Sequence, residues 1–169
     1  MPSLKWRVAQ HTILFVGEGK TECAFLSHIM SLYISRGCGV SVKIRNAHGK
    51  GSDHVVDYAI RQCRNSAFDR VVVLLDSDMA MSASVRRRAR SKKIQMIESN
   101  PCLEGLLLKI LGRHVPATSE LCKKQTGHAL PARLTTQVDY GADFPMDIME
   151  DRRKHVPELG KLLDCLSFD

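Results

Sequence analysis

Three acidic residues directly follow two short apolar segments of the sequence. Glu18 comes after the run ILFVG, whereas Asp76 and Asp78 follow the run VVVLL with one serine between them. Alternate side chains of an extended chain point the same way, so Asp76 and Asp78 are expected to face one side. Two carboxylates this close repel each other unless one is protonated or a cation lies between them. Oxygen ligands without nearby Cys or His favour magnesium or manganese, although a helix-capping Asp beside a solvated one stays an alternative.

The segment GEGKTE, Gly17 to Glu22, adds two groups that bear on this site. Glu22 is expected in the first turn of a helix, where it either reaches toward Glu18 or interacts favourably with the helix dipole. Lys20 either faces an anion at the start of that helix or is solvated. The triplet GKT does not indicate a P-loop, because residue 14, five positions before Gly19, is a leucine. The sequence therefore argues against an ATPase.

Positive charge is concentrated in one short segment directly after Asp78. The chain has a formal net charge of +7, and six basic residues lie within the eight positions 86–93. Such a cluster favours contact with the phosphate backbone of a nucleic acid, without reading its bases; the alternative is a solvated, mobile loop. The cluster consists of Arg86, Arg87, Arg88, Arg90, Lys92 and Lys93.

The elements that must position these residues alternate along the first two thirds of the chain. Short apolar runs predict strands, and apolar residues at three- and four-residue spacing between them predict helices. Strands separated by helices indicate an α/β protein with a mainly parallel sheet of about four strands. Ser52 is expected to cap one helix, and Asn100-Pro101 to open another. The predicted strands are Thr12–Val16, Val40–Ile44, Val71–Leu75 and Ile94–Ile97.

Composition excludes several other classes of protein. No apolar run approaches the roughly 18 residues of a membrane-spanning helix, and the N-terminal segment lacks the apolar core of a secretory signal. The six cysteines form no C-x-x-C pair, which argues against a zinc ribbon. We therefore expect a cytoplasmic protein with reduced thiols and no membrane partner. Aromatic residues make up only 5%, too few for a single-strand binder based on stacking.

Three motifs together resemble the RloB-like branch of the Toprim domains, the metal-binding fold shared by topoisomerases, primases and OLD-family nucleases. They are GEGKTE after the first strand, DSD after the third, and the later segment ESNPCLEGLLLKILG. The Toprim hallmark of a glutamate and a D-x-D pair corresponds here to Glu18, Asp76 and Asp78. The chain departs from the family pattern at two positions, where Gly105 replaces a tryptophan and Lys109 replaces a histidine. The resemblance covers roughly residues 12–112.

The resemblance implies a Rossmann-like Toprim domain over residues 12–112 and a partly helical C-terminal extension over residues 113–169. It also implies a magnesium- or manganese-dependent nuclease that acts on DNA or RNA in phage defence, with a partner protein such as an ATPase. By analogy with OLD-type nucleases, Glu22 and Glu104 would help to hold a second metal ion. The alternative is a non-catalytic Toprim-like module that binds nucleic acid or a protein partner, which the loss of the tryptophan and the histidine favours.

Overall fold

The computed structural model describes residues 9–130 and 133–168, in which strands and helices alternate up to residue 110 and helices follow. The strands are β1 (His11–Gly17), β2 (Val40–Asn46), β3 (Arg70–Asp76) and β4 (Ile94–Ser99). The α-helices in these two ranges are α1 (Lys20–Tyr33), α2 (Gly51–Asn65), α3 (Ala83–Ser91), α4 (Leu103–Ile110), α5 (Ser119–Ala129), α6 (Met146–Arg152) and α7 (Pro157–Asp164). A short 3-10 helix spans Gln137–Tyr140. None of the described helices is both long and apolar enough to cross a membrane.

The four strands form one parallel sheet in the order β2-β1-β3-β4. The chain moves from β1 to β2 in one direction and then returns past β1 to β3 and β4, so the order reverses between β1 and β3. Helices α2 and α3 pack on one face of the sheet, whereas α1, α4 and α7 cover the other. The predicted α/β class is therefore confirmed, with a sheet that is parallel throughout.

The central strands are apolar along their length because both of their faces are covered. Phe15 and Val72 point into the larger core cluster, and Leu14 and Val73 point into the smaller one on the opposite face. Residues after 112 contribute much of the larger cluster, including the fully buried Tyr140. The Tyr140 hydroxyl lies 3.1 Å from the backbone oxygens of Thr21 and Leu134, so it ties this part of the chain to the first turn of α1.

Two predicted helix starts are wrong, and both errors lie close to the ends of the strands. Ser52 does not cap α2, because Lys50 occupies the cap position in the left-handed region with φ 72°. The Ser52 hydroxyl instead donates to the backbone oxygen of Asp76 at 3.1 Å. Pro101 is not in the first turn of α4, which begins two residues later after a cis Asn100–Pro101 peptide bond. In both places the chain bends to bring a helix start against the end of β3.

Candidate acidic site at the strand ends

Two of the predicted acids lie where the strand order reverses. Glu18 directly follows β1, and Asp76 is the last residue of β3. The two strands are neighbours, with Gly17 opposite Leu74. In a parallel α/β sheet this crevice beyond the carboxyl ends is where ligands bind. The sheet therefore brings Glu18 and Asp76, which are far apart in sequence, to one place.

Asp76 is the acid whose protonation is most altered by its surroundings. Burial, together with the carboxylates of Glu22, Glu18 and Glu104, raises the pKa of Asp76 to about 7. A hydrogen bond of 2.9 Å from the backbone amide of Leu103 to Asp76 Oδ1 opposes this increase. Four acids from β3, the β1–α1 turn, α1 and α4 thus act on one another electrostatically. We call Glu18, Glu22, Asp76 and Glu104 the acidic group.

Glu22 caps α1 and also lies close enough to other acids to be influenced by their charge. Its Oε2 atom accepts a hydrogen bond of 2.8 Å from the backbone amide of Gly19, which caps α1. The side chain is only 8% exposed. Burial raises the pKa of Glu22, against the lowering effect of backbone hydrogen bonds, and the Glu104 and Glu18 carboxylates raise it further. Helix capping and membership of the acidic group are therefore compatible.

Asp78 faces a different part of the site from Asp76. Strand β3 ends at Asp76, and the backbone amides of Ser77 and Asp78 both lie 3.1 Å from the Pro101 oxygen, which marks a bend. Asp78 Oδ2 accepts a hydrogen bond of 2.8 Å from the Ser119 hydroxyl at the start of α5. The two aspartates of the DSD motif are thus held by α4 and α5 respectively, rather than aligned along an extended strand.

Lys123 of α5 is a site residue that the sequence did not indicate. Partial burial is the largest single influence on the pKa of Lys123 and lowers it, but the charges of Glu104, Cys102, Asp76 and Asp78 together outweigh burial. The net effect raises the pKa of Lys123, which keeps its amine charged. Lys123 therefore connects Asp78 electrostatically with the acidic group. The region around α5 has no sustained apolar period, and the one local signal for this helix is its N-cap, Thr118.

The side chains as they lie do not form a closed metal cage. Within residues 9–130 and 133–168, no three His, Cys, Asp or Glu side chains meet as a metal-binding cluster. The donor chemistry nevertheless fits a hard cation, because the acidic group and Asp78 offer only carboxylate oxygens. Nearby thiols do not compete, since burial raises the pKa of Cys23 to about 11 and that of Cys102 to about 12. A bound cation would also offset the repulsion among these carboxylates, which adds to burial in raising the pKa of Asp76.

Four residues of the basic cluster lie on helix α3 and the other two, Lys92 and Lys93, directly follow it, and the helix leads away from the acids. Helix α3 buries Val85 and Ala89 against the smaller core cluster and turns its basic residues outward. The helix runs from the end of the sheet where β3 finishes back to the end where β4 begins. Lys92 and Lys93 therefore lie toward the end of the sheet opposite Asp76. Lys20, the first residue of α1, is exposed at the end of the sheet that carries the acidic group.

Two of the six basic residues in the cluster have acidic partners. Arg86 forms a hydrogen-bonded ion pair with Glu98 at 2.7 Å. Arg88 lies 2.8 Å from Asp57 Oδ1, without the alignment of a hydrogen bond. The other four, which are exposed and form no ion pair within the described ranges, are Arg87, Arg90, Lys92 and Lys93.

Gly105 and Lys109 each have defined neighbours in the structure. A Cβ atom added to Gly105 would lie 2.9 Å from Pro101 Cδ and 3.1 Å from the Asn100 oxygen, so this chain has no room for a tryptophan there. Lys109 pairs with Glu158 of α7 at 2.9 Å. Lys109 therefore links α4 to α7.

Comparison with known proteins gives one match. The family model described as RloB-like protein matches residues 13–154, which is more than half of the chain. No curated protein and no solved structure matches it. The matched range begins in β1 and includes the acidic group, Asp78, Lys123 and α3. The chain therefore belongs to the RloB-like protein family.

Proposed function

We propose that this protein is a magnesium- or manganese-dependent nuclease of the Toprim type, which hydrolyses phosphodiester bonds in DNA or RNA. The observation that carries the proposal is the acidic group at the reversal of strand order, between β1 and β3. Its members come from four separate segments, and burial together with the charges of the other three acids raises the pKa of Asp76 to about 7. Structural acids are usually paired with cations, whereas mutually repelling carboxylates in a crevice are typical of functional sites.

Each acid would have a distinct task. Glu18, Asp76 and Asp78 would hold the cation, and Glu22 and Glu104 would complete the site for a second one. A bound divalent cation lowers the pKa of a water molecule and neutralises the oxygen that leaves. Glu18, which lies in a glycine-flanked turn and is only partly buried, is the acid best suited to take a proton from that water. The Leu103 amide and the Ser119 hydroxyl orient Asp76 and Asp78.

The exposed cations on α3 and directly after it would bind the nucleic-acid backbone outside the crevice. Arg87, Arg90, Lys92 and Lys93 can each neutralise a phosphate, because none of them is committed to a carboxylate within the described residues. Arg86 and Arg88, which are already paired, are expected to contribute less. Lys20 lies at the acidic edge and would contact the strand as it enters the crevice.

A non-catalytic module that binds nucleic acid is the second candidate function. The observation that favours it is the position of Lys123, whose cation already offsets the charge of Glu104, Asp76 and Asp78. In that case the amine would stabilise the acids without a metal ion. Salt-dependent binding to nucleic acid would remain, but the protein would not cleave its ligand.

A cleavage assay with matched variants separates the two candidates. The wild type, Glu18→Gln, Asp76→Asn and Asp78→Asn would be incubated with plasmid, single-stranded DNA and tRNA, in Mg²⁺, Mn²⁺ or EDTA. Asp151→Asn, which changes an exposed acid on α6, is the control. The nuclease proposal predicts metal-dependent cleavage that the site variants reduce by about 10²–10⁴-fold, while the control leaves it unchanged. No cleavage by the wild type, with binding that survives Asp76→Asn, would decide for the non-catalytic module.

Metal binding can be measured independently of cleavage. A ligand that binds only the folded state raises the free energy of unfolding, by about 2.7 kcal/mol at a concentration 100 times its Kd. We expect Mg²⁺ or Mn²⁺ to raise the melting temperature of the wild type and of Asp151→Asn, and to raise that of Asp76→Asn much less. Equal shifts in all three proteins would place the cation elsewhere.

The expected role in phage defence and the expected ATPase partner rest on the resemblance alone and stay predictions. Plaque counts on cells that produce the wild type or Asp76→Asn test the first of these. Protection that needs Asp76 would link defence to the acidic group, whereas equal protection by the variant would separate the two. Copurification from the same cells tests the second.

A further inference from the structure

A pocket of about 320 Å³ adjoins the acidic group on the side of α5. Its walls come from the first turns of α1 and α4, from α5 and from the segment that follows α5. The polar lining residues are Thr21, Glu104, Lys123, Thr126 and Arg133. Glu104 belongs to both the pocket and the acidic group, so a ligand in the pocket would lie directly beside the proposed cation site.

Two cationic side chains line this pocket, and neither was singled out by the sequence. Lys123 and Arg133 are exposed, and neither forms an ion pair in the part of the chain that the structure describes. The guanidinium group offers several N–H donors in a planar fork, and the ammonium group offers a compact charge. Together they suit a tetrahedral anion with several oxygens, such as a phosphate group.

A buried hydroxyl provides independent evidence that the pocket accommodates a polar ligand. Thr126 is only 3% exposed, and its Oγ1 atom has no hydrogen-bond partner among the described residues. Leaving such a group without a partner costs about 1–3 kcal/mol. Since Thr126 lines the pocket, a ligand oxygen could satisfy the hydroxyl once the side chain turns its Oγ1 atom, which is buried in this structure, toward the pocket.

We infer that Lys123, Arg133 and Thr126 form a subsite for a backbone phosphate of the nucleic acid, next to the bond to be cleaved. This inference rests on the proposed function and extends it to residues that hold the substrate rather than the cation. Glu104 would repel a phosphate in the same pocket unless its charge is offset. Binding of phosphate should therefore be stronger when a divalent cation is present.

The subsite differs from the basic helix in what it would bind. Helix α3 leads away from the strand ends, so its exposed cations would contact phosphates at a distance from the acidic group. Lys123 lies close enough to Glu104, Asp76 and Asp78 for all three to raise its pKa. The subsite, unlike α3, would therefore hold a phosphate directly beside the acidic group.

The test compares binding by the wild type, Lys123→Met, Arg133→Met and the control Lys124→Met. Lys124 is the next residue on α5, is also exposed, and is not among the residues that line the pocket. The probes are inorganic phosphate, AMP and a fluorescent single-stranded oligonucleotide, each titrated in EDTA and in Ca²⁺. We expect each subsite variant to weaken oligonucleotide binding in Ca²⁺ by about tenfold, and the control to change it by less than about twofold. If Lys123→Met and Lys124→Met lose the same affinity for the oligonucleotide, the loss reflects the overall charge of the protein, and the subsite is overturned.

Thr126→Val gives a second, sharper test because valine has nearly the same shape as threonine. If the hydroxyl serves only a ligand, the variant should melt at the same temperature as the wild type or higher, yet bind the oligonucleotide about threefold more weakly. A lower melting temperature with unchanged binding would show that the hydroxyl has a structural role, against the inference. Weaker binding of phosphate and AMP with unchanged oligonucleotide binding would identify a mononucleotide site and overturn the backbone assignment.

The inference and the proposed function can fail separately. If the wild type cleaves nothing but the subsite variants still lose oligonucleotide binding, the subsite stands and the nuclease proposal fails. If the wild type cleaves, and Lys123→Met and Arg133→Met cleave with an unchanged KM, the nuclease stands and the subsite fails.

Discussion

The basic helix α3 and the acidic group at the strand ends differ in how far their charges are removed from water. The cations of α3 are solvated or paired at the surface, where an interaction between charges is worth little. The acids lie partly or fully buried and face one another, and the pKa of Asp76 rises to about 7 as a result. Exposed and buried charges therefore act differently: the cations of α3 should govern association with polyanions, and the carboxylates of the acidic group should govern stability and chemistry.

The largest expected effect concerns the basic helix. Replacing Arg87, Arg90, Lys92 and Lys93 by Gln should lower affinity for DNA or RNA by about 10²–10³-fold at 0.1 M salt, because each phosphate contact releases about 0.9 of a counterion. The free energy of unfolding should change by less than about 1 kcal/mol, since these side chains are exposed. Fluorescence anisotropy across a salt series, with urea unfolding, measures both. An unchanged salt slope would show that α3 does not contact the backbone.

The next effect concerns the pH dependence of stability without metal. The pKa of Asp76 in the folded protein is raised, so its contribution is fully present below about pH 4 and is lost as the pH rises toward 7. The loss should be on the order of 3 kcal/mol, and Glu22 should add to it in the same direction. Urea unfolding in EDTA from pH 5 to 8 measures it. Asp76→Asn keeps an oxygen for the Leu103 amide and should flatten the curve, whereas Asp151→Asn should not.

A smaller effect tests how tightly the wall of the acidic site is packed. In Gly105→Ala the new methyl group would lie 2.9 Å from Pro101 Cδ and 3.2 Å from Val115 Cγ1. Overpacking of this kind should lower the free energy of unfolding by about 1–3 kcal/mol. Gly127→Ala on α5 meets no atom within 4 Å and should raise it by up to about 1 kcal/mol, because alanine favours a helix. Thermal unfolding of both variants measures this difference in stability. Equal melting temperatures would contradict the prediction.

The smallest effect concerns a single ion pair of the basic helix. Arg86 and Glu98 are 2.7 Å apart, with about a third of each side chain exposed. A double-mutant cycle with Arg86→Ala and Glu98→Ala should give a coupling energy of about 0.2–1 kcal/mol that falls at 1 M salt. A coupling of several kcal/mol would mean that charges on α3 act like those of the acidic group.

Sequence patterns located most of the elements because the strands are buried on both faces and are therefore continuously apolar. The run VVVLL was recognisable as a central strand. This strand in turn indicated that the acids after it lie at the end of the sheet. The same reasoning missed Lys123 and Arg133, because it depends on apolar periodicity and α5 has little. It also missed the bend at Ser77, which is set by two hydrogen bonds to the Pro101 oxygen 24 residues away. Interactions between distant segments leave no local pattern from which they could be inferred.

Charge density along the chain was a poor guide to distance from the acidic group. Six cations within eight residues indicate a nucleic-acid contact at α3. The helix, however, has to return to the end of the sheet where the strands begin, because β4 runs parallel to β3. Lys123 and Arg133 lie closer to the acids. Helix α5, which carries Lys123, packs against α4 and begins beside Asp78, and Arg133 lines the same pocket as Glu104. Topology, rather than composition, decided which charges meet.

The C-terminal third of the chain has one consequence for experiments on this family. Eleven of the 24 described residues in the larger core cluster come after residue 112, and they cover Phe25, Ile29 and Leu107. A fragment that ends at Gly112 would expose this apolar surface to solvent and should aggregate. Truncation is therefore unsuitable for dissecting the protein, and chimaeras between RloB-like proteins should exchange the strand-end loops together with the tail that supports them.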